Sequence, residues 1–113
     1  MTIHHDQFTD EAQALEEIEH AGYHAMTLDF PAENNEPHWH DFDSMLYILE
    51  GEVTIIDTET GEECICGPGT RLRAGAGVLH REVTEGYKAL IGIPIKPEEL
   101  TQPINKPPPV QLE

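Results

Sequence analysis

The sequence predicts an all-β domain, a sandwich or jelly-roll barrel, preceded by a short helix and followed by a proline-rich tail. From residue 38 to residue 93, apolar and β-branched residues fall in short, largely alternating runs. Glycine-bearing turns separate these runs at Thr58-Glu59-Thr60-Gly61, Gly67-Pro68-Gly69 and Glu85-Gly86. The one sustained helical period lies before Tyr23.

That helix is expected over Asp10 to Ala21. Thr9 caps it, acids fill its first turn, and Ala14, Leu15, Ile18 and Ala21 form its apolar stripe. Phe8 folds back on its start, and Gly22 ends it. Tyr23 to Phe30 alternates as a strand, and Pro31 to Pro37 reads as a polar turn. Further strands are expected at His38 to His40, Met45 to Leu49, Glu52 to Asp57, Glu63 to Cys66, Arg71 to Ala74, His80 to Val83 and Lys88 to Ile93. Lys96 to Glu99 reads as one helical turn. The end of the chain carries Pro103 and Pro107-Pro108-Pro109, a stiff, extended tail. The organisation predicted is an N-terminal arm and helix (1–22), a β-domain (23–95) and a C-terminal extension (96–113) packed on the surface or on a neighbour.

A chain of 113 residues fits one domain with a modest core. Its formal charge is −16, and no lysine or arginine precedes Arg71. Such a field repels phosphate backbones and anionic lipid, so neither nucleic acid nor membrane is an expected partner. No apolar run approaches the roughly 20 residues that span a bilayer. Residues 1–10 carry neither a basic start nor an apolar stretch, so the cytoplasm is the expected location. Cys64 and Cys66 share one face of a strand and read as free thiols rather than a disulfide framework.

Chemistry concentrates in Pro37-His38-Trp39-His40. His38 and His40, two residues apart in extended chain, project to one side. Phe42 and Ser44 follow on that side if the strand runs without a bulge, with Asp41 and Asp43 on the other. His80, behind Gly75-Ala76-Gly77, is a distant third imidazole that completes a facial metal site. Glu82 shares the parity of His80 and is a candidate base, second-shell acceptor or distant ligand. Tyr47 is a candidate phenol for proton transfer, and Tyr87 a weaker one. Phe42, Ile48, Ile55, Leu90 and Ile91 are candidates for an apolar pocket.

These motifs resemble those of the small single-domain cupins of the RmlC-like jelly-roll class. His38, His40 and Gly51 match the first cupin motif, and Gly69, Gly77 and His80 match the second. The resemblance spans about residues 24 to 93. It departs from the family where Ser44 or Met45 stands at the usual glutamate ligand, Gly75 at the usual proline and Thr84 at the usual asparagine. The opening glycine of the first motif is also missing. The resemblance therefore implies a cupin-type jelly-roll barrel with three histidine ligands and leaves the fourth ligand open among Asp41, Asp43 and Glu82.

Three neutral imidazoles suit one divalent transition metal per chain: Fe, Zn, Mn, Ni or Cu. The function expected is a metal-dependent cupin enzyme acting on a small organic molecule. It would be an Fe(II) dioxygenase or a metal-assisted lyase or isomerase, with Glu82 or Tyr47 moving a proton. The alternative is a non-catalytic module that binds or senses a small ligand. A homodimer is expected, because an open jelly roll has edge strands to cover.

Overall fold

The computed structural model describes residues 2–5, 8, 10–100 and 104–106. In chain order these form β1 (Thr2–His4), α1 (Glu11–His20), β2 (His24–Asn34), β3 (Ser44–Asp57), β4 (Glu63–Cys66), β5 (Arg71–Ala74), β6 (His80–Ile93) and a single 3-10 turn at Pro97–Glu99. No helix among the described residues is long and apolar enough to cross a membrane.

The strands form one antiparallel sheet in the order β1-β5-β3-β6-β2, with β4 pairing β3 off that path. This corrects the predicted barrel. Among the described residues the sheet is not closed: β1 and β2 lie at its two ends and do not pair. Closure requires every strand to have two partners, and β1 spends its three residues on β5 alone. The side chains of Leu100, Ile104 and Asn105 supply cavity wall that a closed sheet would supply from strands.

Two pairs of expected short strands are in fact two long ones. β3 and β6 each run for 14 residues and pair along most of their length. Glu85-Gly86 does not turn the chain; it is an irregularity inside β6. The register of β3 against β6 steps by one residue at Leu49 and steps back at Glu85. Each step moves the cavity-facing residues from even to odd positions. Leu46 on β3 and His80 and Glu82 on β6 line the cavity before the steps, and Ile55, Tyr87, Ile91 and Ile93 line it after them. The expected breaks fell at Glu50-Gly51 and at the Glu85-Gly86 turn, beside these steps.

β2 also continues past its expected end, through Pro31 to Asn34. Proline is tolerated there because β2 is an edge strand, with no ladder bond to lose on its outer side. Thr9 lies outside the described residues. Asp10 caps α1 instead, accepting the Gln13 N–H at 2.8 Å, a bond worth about 1 kcal/mol.

Each face of the sheet has its own core. On one face Leu46, Ile48, Val53, Ile55, Cys66, Leu72, Tyr87 and Ala89 pack together. On the other, α1 sets Ala14 and Ile18 on Met45, Tyr47 and Leu90, with Phe8 edge-on to Tyr47 at 5.3 Å. Burying an aliphatic side chain such as Ile18 stabilises by roughly 1.5–3 kcal/mol. The helix is thus held by its short apolar stripe, although Leu15 stays 38 % exposed.

Between the two register steps, Gly51 sits at φ +78°, opposite Tyr87. A Cβ there would lie 2.4 Å from the Gly86 carbonyl oxygen. The nearest atoms are backbone of Gly86 and Tyr87 on the facing strand, which has little room to relax. Gly51→Ala should therefore destabilise the fold by about 2–4 kcal/mol, combining left-handed strain with overpacking. Urea unfolding checks this; a midpoint equal to that of the parent chain would contradict it.

Candidate metal centre

His38, His40 and His80 come together in the fold, and their ligating nitrogens all lie within 4.8 Å of one another. The backbone brings them there. His38 and His80 form an isolated antiparallel bridge: the His38 N–H donates to the His80 carbonyl at 2.8 Å, and the His80 N–H to the His38 carbonyl at 2.9 Å. The expected strand at His38 to His40 is thus reduced to single bridges at His38 and Trp39. The glycine turn before His80 is tied to the same place, since the Gly77 N–H donates to the His40 carbonyl at 2.8 Å. Gly77 has φ +84°, which lets that N–H point back.

The ring contacts are close. Centroids of His38 and His80 lie 4.5 Å apart, those of His38 and His40 5.1 Å, and those of His40 and His80 5.2 Å. Each Nδ1 faces a backbone carbonyl: Glu36 for His38 at 2.8 Å, Ile104 for His40 at 2.9 Å and Val78 for His80 at 3.0 Å. A carbonyl only accepts, so each Nδ1 is the donor, which leaves Nε2 as the nitrogen that can ligate. This is the outer-shell pattern that orients histidine ligands. Burial lowers the pKa of His40, and lowers that of His80 to about 4, so both are neutral and ready to coordinate near pH 7. The donor set fits one divalent transition ion.

The wall beside the histidines is a cavity of about 450 Å³ lined by residues of β2, β3, β5 and β6 and of the C-terminal segment. Phe42 and Ser44 line it together with His38 and His40, as the alternation predicted. Phe42 stacks on the His40 ring at 5.3 Å. Glu82 lines it too, with its carboxyl raised by burial; His38 opposes that shift, and Glu33 adds to it. The Tyr87 hydroxyl donates to Glu82 Oε2 at 3.4 Å. Burial and the Glu82 carboxylate raise the Tyr87 phenol in turn.

Tyr47 is not brought to this group. It is fully buried on the opposite face, under α1, with its pKa pushed up to about 12 by burial and by Glu17. Leu90 shares that face, and Ile48 packs in the core without lining the cavity. Neither candidate aspartate joins the cluster. Asp41 lies 3.8 Å from Lys106 Nζ, and Asp43 accepts the Ala76 N–H at 2.8 Å, bracing the glycine turn. Glu82 lies outside the close group as well.

Sequence reasoning did not find Asn35, Asn105 or the Ile104 carbonyl. Asn35 sat in an expected turn, yet it lines the cavity and its Oδ1 accepts the Glu82 N–H at 2.7 Å. A backbone carbonyl leaves no mark on the sequence.

No family model matches the chain, and no curated protein does. Solved structures do. A DUF861 family protein from Thermotoga maritima matches with a TM-score of 0.63 at 18% identity, over 81% of this chain and 97% of that one. The polyketide cyclase RemF from Streptomyces resistomycificus matches at 0.56 and 22% identity, over 66% of this chain and 56% of that one. A cupin-2 domain containing protein from Shewanella frigidimarina matches at 0.52 and 21% identity, over 62% and 68%. At such identities the likeness concerns the fold. The fold is cupin-like, and its three clustered histidines could hold a divalent metal ion.

Three outcomes are expected. Metal analysis of untagged, reconstituted protein should give one divalent ion per chain. His38→Ala, His40→Ala or His80→Ala should each abolish stoichiometric binding; retention by all three would contradict a shared centre. Tyr47→Phe, altered on the far face, should leave metal affinity unchanged in a chelator competition.

Proposed function

We propose that this chain is a metal-dependent cupin enzyme acting on a small organic molecule held in the cavity beside His38, His40 and His80. The observation that carries the reading is the set of three Nδ1-to-carbonyl bonds, which turns three Nε2 lone pairs towards one point.

A bound divalent ion would supply Lewis acidity and, in the case of iron, reactivity towards dioxygen. The chain's own residues do the rest. Phe42, Leu46, Ile55, Leu72 and Ile91 make the cavity largely apolar and exclude water. Glu82 is the group that holds or moves a proton, steadied by the Tyr87 hydroxyl and, through its backbone, by Asn35. Among the described residues no lysine or arginine lines the cavity, whereas Glu33 and Glu82 do. The substrate is therefore an uncharged or cationic molecule that binds through an oxygen or sulfur donor, not a phosphate or polycarboxylate.

Both reaction classes, dioxygenase and lyase or isomerase, use this arrangement. Oxygen uptake by the Fe(II)-loaded protein with catechols, β-diketones and small thiols tests the first. Mass spectrometry of the same compounds after anaerobic incubation with Zn(II)-, Mn(II)- or Ni(II)-loaded protein tests the second. Glu82→Gln should lower turnover about 100-fold while the metal stays bound. The second reading is a ligand-binding module without turnover. Ser44 favours it, because a hydroxyl-bearing side chain stands where the family places its charged ligand. Saturable binding with every compound recovered unchanged would establish that reading and end the enzymatic one.

A further inference from the structure

We propose that the C-terminal segment at residues 104–106 is a working part of the metal centre, with the Ile104 carbonyl as the group that positions His40. The proposal rests on reading the three histidines as metal ligands. His38 and His80 are served locally, since each Nδ1 bonds the carbonyl two residues before its own, at Glu36 and Val78. The equivalent partner for His40 would be the His38 carbonyl. That oxygen already accepts the His80 N–H in the bridge that joins the two motifs. The structure uses that oxygen for the bridge, and His40 takes its Nδ1 partner elsewhere. The replacement comes from 64 residues away, at 2.9 Å.

The carbonyl is held where it is needed. Trp39 and Lys106 form a reciprocal backbone pair: the Trp39 N–H donates to the Lys106 carbonyl at 3.1 Å, and the Lys106 N–H to the Trp39 carbonyl at 2.9 Å. Trp39 adjoins His40 in sequence, so this pair sets Ile104 over the His40 ring. Lys106 Nζ, 3.8 Å from Asp41, adds a weak, half-exposed ion pair. Ile104 and Asn105 also line the cavity. One segment therefore fixes a ligand and walls the space in which a bound molecule sits.

Two variants test this: a chain ending at residue 103, and Lys106→Pro, which removes the N–H that bonds Trp39. Two readouts are needed. Chelator competition gives the metal dissociation constant, and long-range proton–nitrogen correlation of the imidazoles in metal-free protein gives each tautomer. Both variants should bind metal roughly 10–100-fold more weakly, the usual effect of losing a histidine's outer partner. His40 alone should lose its Nδ1–H tautomer, while His38 and His80 keep theirs. Parent-like affinity together with an unchanged His40 tautomer in folded Lys106→Pro protein would overturn the proposal. If the parent chain binds no metal, the proposed function falls, and the tautomer of His40 still decides the role of Ile104.

Discussion

The pair of hydrogen bonds between the backbones of His38 and His80 is the constraint on which the site depends. It is short, reciprocal and isolated from the regular ladder. It joins the segment between β2 and β3 to the start of β6, and so converts two distant motifs into one group of imidazoles. Side chains on a directly opposed, hydrogen-bonded antiparallel pair leave the backbone on the same side. The rings of His38 and His80 accordingly meet at 4.5 Å, and His40, two residues on, joins them from the same side.

Around that bridge the sheet divides its labour. One face carries α1 and a dry packing of Phe8, Ile18, Met45, Tyr47 and Leu90. The other keeps a cavity, with Glu82 and Tyr87 as its polar pair. The two faces are insulated from each other by β3 and β6, so a residue's chemistry is decided by its parity. Tyr47 and Leu46 are neighbours in sequence, yet one is sealed under the helix and the other looks at the cavity. Arg71 and Leu72 divide in the same way: Arg71 reaches across to Glu17 at 3.0 Å under α1, while Leu72 lines the cavity.

Much of this was legible in the chain, for physical reasons. His38, His40, Phe42 and Ser44 were expected on one side if the strand ran on, and all four line the cavity although the chain bends at Asp41-Phe42. Glu82 followed from the same rule applied from His80. The β3–β4 hairpin and the strands Glu63–Cys66 and Arg71–Ala74 followed from their flanking turn residues. What misled the reading was also local. Glu85-Gly86 looks like a chain reversal, but it lies in an irregularity inside a long strand, where the positive φ of Gly86 accompanies a register step and not a turn. Whether a sheet closes depends on the partners of its edge strands, which no local pattern records. The Ile104 carbonyl was invisible because every residue has one.

The register steps at Leu49 and Glu85 have a consequence for how this chain tolerates changes in length. Each is one extra residue that reverses which positions look inward. Deleting Leu49 would exchange the inward and outward residues on one side of the step and place Tyr47-type and Leu46-type positions on each other's face. The same holds for Glu85, beyond which Tyr87, Ile91 and Ile93 would be turned away. The loop Thr58 to Gly61 carries no such burden, since it lies where β3 and β4 have already parted. Insertions and deletions are therefore admissible at that loop, whereas the two steps fix the spacing of the chain as firmly as the histidines fix its chemistry.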